Sequence, residues 1–273
     1  MREPAVAGQF YAFDKEGLQK ELKKSFAFSG EPKKSKNKNS ILSVVCPHAG
    51  YMYSGGVAAY SYRALKEDRT AETFVIIGPN HGGVGPAVSV YPSGEWETPL
   101  GKIEIDSKLA QEIAGDKFTL DDSAHTFEHS AEVQLPFLQR VFKDFKIVPI
   151  CVLDQRLDLM KELGERLAKV LDENRHVVIA STDFSHYIPN EDAYSRDFKA
   201  IEAIKSLDEN ALFEAIDKYD ISMCGYGGVA ATIVYSKFKG AKKGELLKYM
   251  TSGDVTGDKS AVVGYGSLIL KKA

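Results

Sequence analysis

Three apolar runs in this sequence end in turns that carry histidine. Ile41–Cys46 leads into Pro47-His48-Ala49-Gly50-Tyr51, Thr73–Ile77 into Gly78-Pro79-Asn80-His81-Gly82-Gly83, and His176–Ala180 into Ser181-Thr182-Asp183-Phe184-Ser185-His186. Ligands of open α/β sheets bind outside the carboxyl ends of the strands, so these segments are placed to converge on one crevice. A lone histidine in a turn is ordinarily a hydrogen-bonded loop residue. Three strand ends closing on one, with glycine nearby to let the backbone turn, argue for a shared site. A fourth segment, Glu128-His129-Ser130-Ala131-Glu132, opens an amphipathic stretch that predicts a helix over 130–142 with Ser130 as its cap. His129 then sits at a helix amino end, where the dipole lowers an imidazole pKa, and Glu132 is spaced to support its ring. His125 and His176 are weaker candidates, one in a polar loop and one at a helix–strand boundary.

Of three cysteines, Cys151 and Cys46 lie in or beside apolar strands and read as core. Cys224 instead precedes the glycine-rich start of a helix predicted over 227–238, where a thiol is readily ionised. Two imidazoles, His48 and His81, with the Cys224 thiolate make a three-ligand site with one coordination position open. That donor set suits iron, copper or zinc and suits magnesium or calcium poorly. His129 and His186 are the candidate general acid or base, and Asp183 the carboxylate that orients a ring or fixes its tautomer. Two other readings use the same residues. One is a thiol hydrolase or transferase built from Cys224, a histidine and Asp183. The other is a module that captures a metal, small molecule or peptide without turnover, with Tyr11, Tyr51, Tyr53 and Trp96 near the cleft. The sequence has no G-x-S-x-G elbow, Walker loop, strand-following G-x-G-x-x-G or H-E-x-x-H helix.

The elements that must position these residues alternate. Beside the runs already named, strands are predicted over 86–91, 146–153, 176–181, 245–251 and 261–270, and helices over 54–65, 106–114, 157–171, 190–206 and 210–218, with one more before residue 32. Such alternation predicts an α/β fold with a mainly parallel or mixed central sheet and helices on both faces; the last two strands pair antiparallel at one side. The lysine-rich stretch 32–40 reads as a solvated loop, and Thr251–Asp258 as a hairpin turn, with a lid as the alternative. No linker divides the 273 residues, so one domain over 1–273 is expected.

Composition narrows the function classes. With 44% hydrophobic and 27% charged residues the chain is globular in type, and 35 basic against 38 acidic side chains argue against a nucleic-acid binder. Neither a membrane span nor a signal region is legible, and the cysteines form no C-x-x-C pair, so a cytoplasmic protein off the membrane is expected.

Arg2-Glu3-Pro4-Ala5-Val6-Ala7-Gly8-Gln9-Phe10-Tyr11, Pro47–Tyr51, Gly78–His81, Glu128–Glu132 with Leu135-Pro136-Phe137, Ser181–His186 and Cys224-Gly225 together resemble the Memo family, nearly end to end. That resemblance implies a fold like that of class III extradiol dioxygenases, non-haem iron enzymes in which two histidines and a carboxylate hold the metal and a further histidine is the acid–base catalyst. Carried to this chain it implies His48 and His81 as ligands, Cys224 in the third place where the dioxygenases have a carboxylate, and iron or copper as the metal. A metal-dependent oxidoreductase with a small-molecule or peptide ligand is the function implied.

Overall fold

The computed structural model describes residues 1–35 and 38–272; Lys36 and Asn37 of the expected solvated loop lie outside the described residues. In chain order the elements are α1 (Lys15–Ser29), β1 (Ile41–Cys46), α2 (Tyr51–Asp68), β2 (Thr73–Pro79), β3 (Val88–Val90), β4 (Glu95–Thr98), β5 (Gly101–Glu104), α3 (Ser107–Ala114), β6 (Thr119–Leu120), α4 (Leu135–Val141), β7 (Lys146–Val152), α5 (Leu157–Val170), β8 (His176–Ser181), β9 (His186–Ile188), α6 (Asn190–Lys205), α7 (Glu209–Lys218), α8 (Tyr226–Phe238), β10 (Lys243–Thr251), α9 (Ser252–Thr256) and β11 (Val262–Lys271). The main sheet runs β10-β11-β1-β8-β2-β7-β3-β6, with β9 also on β11, and β4 pairs β5 apart from it. Neighbours β1/β8, β8/β2 and β2/β7 are parallel, whereas β11 is antiparallel to β1 and β10. The chain is therefore α/β with a mixed sheet.

Every residue of β1, β2 and β8 is buried because helices cover both faces. Side chains alternate between two cores. Val75 and Ile77 point to the one built by α3, α5, α6, α7 and α8, and Phe74 and Ile76 to the one built by α1, α2 and α4. Among the described residues no helix is long and apolar enough to cross a membrane.

Two local expectations are corrected. The helix predicted over 130–142 begins as a 3-10 turn at Glu132–Gln134 and becomes α-helical only at Leu135, with Pro136 in its first turn, where a missing N–H costs least. Ser130 is accordingly no cap; its hydroxyl donates to the Pro79 carbonyl at 3.1 Å. The 251–258 stretch is not a bare turn either, since Thr251 and Asp254 form a capping box that starts α9.

The amino terminus is strapped to the 128–134 segment by a buried ion pair, Arg2 Nη1 to Glu132 Oε2 at 2.7 Å. Arg2 also donates to the carbonyls of His125 (2.6 Å) and Glu128 (2.7 Å) and lies 4.1 Å over the Trp96 ring. Glu132 accepts further from Ala5 N, Val6 N and the Tyr11 hydroxyl. The side chain expected to support His129 thus holds the strap instead. Removing one partner leaves the other charge buried and unpaired, so Arg2→Met is expected to lose about 3 kcal/mol of stability, read as a lowered urea midpoint.

Candidate metal centre

The carboxyl ends of β1, β8 and β2, adjacent in the sheet, deliver His48, Asp183 and His81 to one place. His129 arrives from the 128–134 segment, which packs so close to the end of β2 that a Cβ on Gly78 would collide with the Ser130 side chain. One ring nitrogen from each of His48, His81 and His129 lies within 4.8 Å of the others. The rings of His81 and His129 stack at 4.5 Å between centroids, and His48 stands edge-on to both.

Hydrogen bonding sets the tautomers of two of these rings. The Ser181 hydroxyl gives its single proton to the Ser130 carbonyl at 2.6 Å and accepts from Gln134 Nε2 at 2.8 Å. His48 Nδ1, 2.9 Å away, must therefore donate to it, which leaves the lone pair on Nε2. Glu128 does the same for His81. Its carboxylate accepts from His81 Nδ1 at 2.9 Å, His81 N at 2.7 Å and Ser130 N at 2.8 Å. Burial alone would raise the Glu128 pKa, but the hydrogen bond and charge of His81, with His129 beside it, bring it down to about 2. A carboxylate cannot donate, so His81 also offers Nε2.

His129 is held neutral. Burial, opposed by Glu128 and reinforced by His81, takes its pKa to about 4. The expected cause, a helix dipole, is absent because α4 starts six residues further on. Burial and the two neighbouring histidines also push His48 well below its usual range. The arrangement is one that transition-metal ions meet in imidazole sites: two of the three rings have Nδ1 held by a hydroxyl or a carboxylate and turn Nε2 towards the cluster.

Cys224 stands beside this triplet and is not a member of it. Its Sγ lies 3.3 Å from His48 Nε2 and accepts from Asp183 N at 3.2 Å. Gly225 lets it come so near, since a Cβ there would sit 2.6 Å from the Ser181 carbonyl. The expected ionised thiol is not found: burial first, then the Asp183 charge, raise the Cys224 pKa to about 12. Asp183 is itself buried and pushed up to about 6, and its Oδ1 accepts from His48 N at 2.9 Å. His186 opens β9; its Nδ1 donates to the Ser222 carbonyl at 2.8 Å, so the other ring nitrogen is left for the cleft.

A cleft of about 710 Å³ opens over these groups, walled by Phe10, Tyr53, Tyr187 and Tyr265 and by Ser252, Thr256 and Asp258 around α9. Tyr11, Tyr51 and Trp96 are core residues instead, as are Cys46 and Cys151. His125 is buried with Nε2 3.2 Å from the Ser89 carbonyl, and His176 Nδ1 accepts from Asp172 N. Missed from sequence were Glu128, Ser181 and Gln134, which set the rings, and Phe10, whose ring packs 4.5 Å from His129. For Glu128 a signal existed, a carboxylate adjoining a candidate histidine. The other three depend on contacts between distant segments.

Comparison with known proteins agrees with this architecture. The family model for Memo-like proteins matches residues 2–269. A MEMO1 family protein of Methanopyrus kandleri is 48% identical over 99% of both chains, and one of Methanosarcina mazei is 46% identical, again over 99% of both. The chain belongs to the Memo family. A solved structure of an uncharacterized protein from Escherichia coli K12 has the same fold at a TM-score of 0.51 and 13% identity, covering 84% of this chain and 99% of that one.

Burial depresses the His125 pKa to about 4, so its neutral form contributes stability that is complete above pH 6.5 and is lost as pH falls through 4. Nitrogen-15 imidazole spectra are expected to show His125 still neutral at pH 5, where an exposed histidine is protonated.

Proposed function

We propose that the cleft is a transition-metal centre anchored by His48 and His81, and that the protein is a metal-dependent oxidoreductase acting on a small molecule. The observation that carries this reading is the pair of rings whose Nε2 lone pairs are fixed by Ser181 and Glu128 within one three-histidine cluster. Iron or copper suits these donors, with zinc also compatible. Such an ion, when bound, supplies an open position for dioxygen or substrate and a route for electrons.

Geometry favours His129 as the third donor. The family resemblance favours Cys224, and its 3.3 Å approach to His48 Nε2 suits two donors of one ion. In the second arrangement His129 is left to move protons. In either, Asp183, with a pKa near 6, and His186, oriented by Ser222, are the groups placed to hold or release a proton beside the ligand. A thiol nucleophile is disfavoured by the raised pKa of Cys224.

Elemental analysis of protein purified anaerobically, without added metal or chelator, tests the centre. Near-stoichiometric iron or copper is expected, lost in His81→Ala; comparison of His129→Ala with Cys224→Ser identifies the third donor. No metal as purified and none on reconstitution would overturn the reading, and metal without oxygen consumption or spectral change would reduce it to a binding module. Glu128→Gln, folded by circular dichroism, is expected to weaken metal binding about 10–100-fold by releasing the His81 ring.

A further inference from the structure

Tyr53, a wall of the histidine cleft, also lines a second concavity of about 350 Å³ with Phe28, Met52, Val57, Met250 and Val255, and the charged Glu21, Lys24 and Asp254 border it too. Four of these residues are large, apolar and open to solvent: Phe28 is 51% exposed, Met52 67%, Val255 46% and Tyr53 36%. Apolar surface gathered in one hollow marks a binding site more often than chance exposure does. Its position says what would bind. Tyr53 and the short helix α9 are common walls, for Ser252 and Thr256 face the metal cleft while Val255 faces the hollow. The two spaces are therefore neighbouring compartments, one carrying the histidine cluster and the other mainly apolar with charged residues among its lining, and each falls within the roughly 300–1,000 Å³ of small-molecule pockets.

We propose that this groove is the tail subsite of the metal cleft: it takes the hydrocarbon or aromatic part of the same small molecule whose oxygen-donor head faces the histidines. The head group rests on the metal reading above; the groove rests on its own lining. The ligand is thus amphipathic, with an apolar portion long enough to pass Tyr53. Burying that portion removes apolar surface of both ligand and protein from water, which strengthens binding about fourfold per methylene until the groove is full.

Two of the chain's five methionines, Met52 and Met250, line the groove, so carbon-13 methionine-methyl spectra report on it directly. The probes are acetohydroxamate and octanohydroxamate, the same metal-binding head with short and long tails, and 1-octanol, which needs no metal. On metal-loaded protein the long hydroxamate is expected to bind at least a hundredfold more tightly than the short one and to shift the Met52 and Met250 methyls, which the short one leaves in place. Octanol is expected to shift the same two methyls in metal-free protein. Met52→Glu and Val255→Glu, both at exposed positions, are expected to abolish the chain-length gain and leave acetohydroxamate binding unchanged. Equal affinity for the two hydroxamates, or octanol that moves neither methyl, would overturn the groove whatever the metal result. Methyl shifts that grow with protein concentration and no probe would overturn it too, by assigning the hollow to a second copy of the chain. Failure of the head group alone, with octanol still seated, would count against the metal centre and not against the groove.

Discussion

The structure depends on a run of seven residues, Glu128–Gln134, that carries four buried polar side chains and gives each a different partner. Glu128 holds His81, Ser130 reaches the Pro79 carbonyl, Glu132 binds the amino-terminal strap, and Gln134 joins the Pro47 carbonyl, Ser181 and Tyr62. Buried polar groups are costly unless satisfied, and here satisfaction requires that β1, β2, β8 and the amino terminus all be in place. The segment is irregular for the same reason: a helix from residue 130 would point these side chains around a cylinder, whereas a 3-10 turn leaves them free to reach separate neighbours.

The sheet supplies the other half of the arrangement. Because β1, β8 and β2 are adjacent and parallel, their carboxyl ends open on the same side, and the chain leaves each through a turn instead of a hairpin. His48, Asp183 and His81 are brought together by that topology alone. What converts proximity into a site with defined chemistry is the hydrogen bonding behind the rings, which fixes the side that each imidazole presents. The compartment across Tyr53 then extends the polar centre towards apolar surface, so that a ligand's head and tail meet different environments.

Much of the fold was legible in the residues. Mostly apolar, β-branched-rich runs such as Ile41–Cys46 and Thr73–Ile77 read as strands covered on both faces, and the amphipathic stretches between them as their cover. The segment after Phe127 was less legible, because apolar residues at helical spacing begin before Leu135 and only Pro136, suited to a first turn, marks where the α-helix starts. The electrostatics of Cys224 were hidden for a related reason. A thiol before a helix is ordinarily easy to ionise, but this one is buried beside Asp183, and desolvation with a neighbouring carboxylate outweighs a helix end.

The sequence by itself determined the α/β class, the family and the strand ends on which histidines gather, since these follow from periodicity, from turn residues and from motifs that each lie within a few positions. Tertiary structure alone decided that the His129 ring stands against those of His48 and His81, that Glu132 serves the strap while Glu128 serves the ring, and that the proton of His48 is on Nδ1. These outcomes rest on contacts between residues dozens of positions apart, such as His48 with Ser181 and His81 with Glu128. A local pattern carries no record of which distant polar atom will satisfy a buried one.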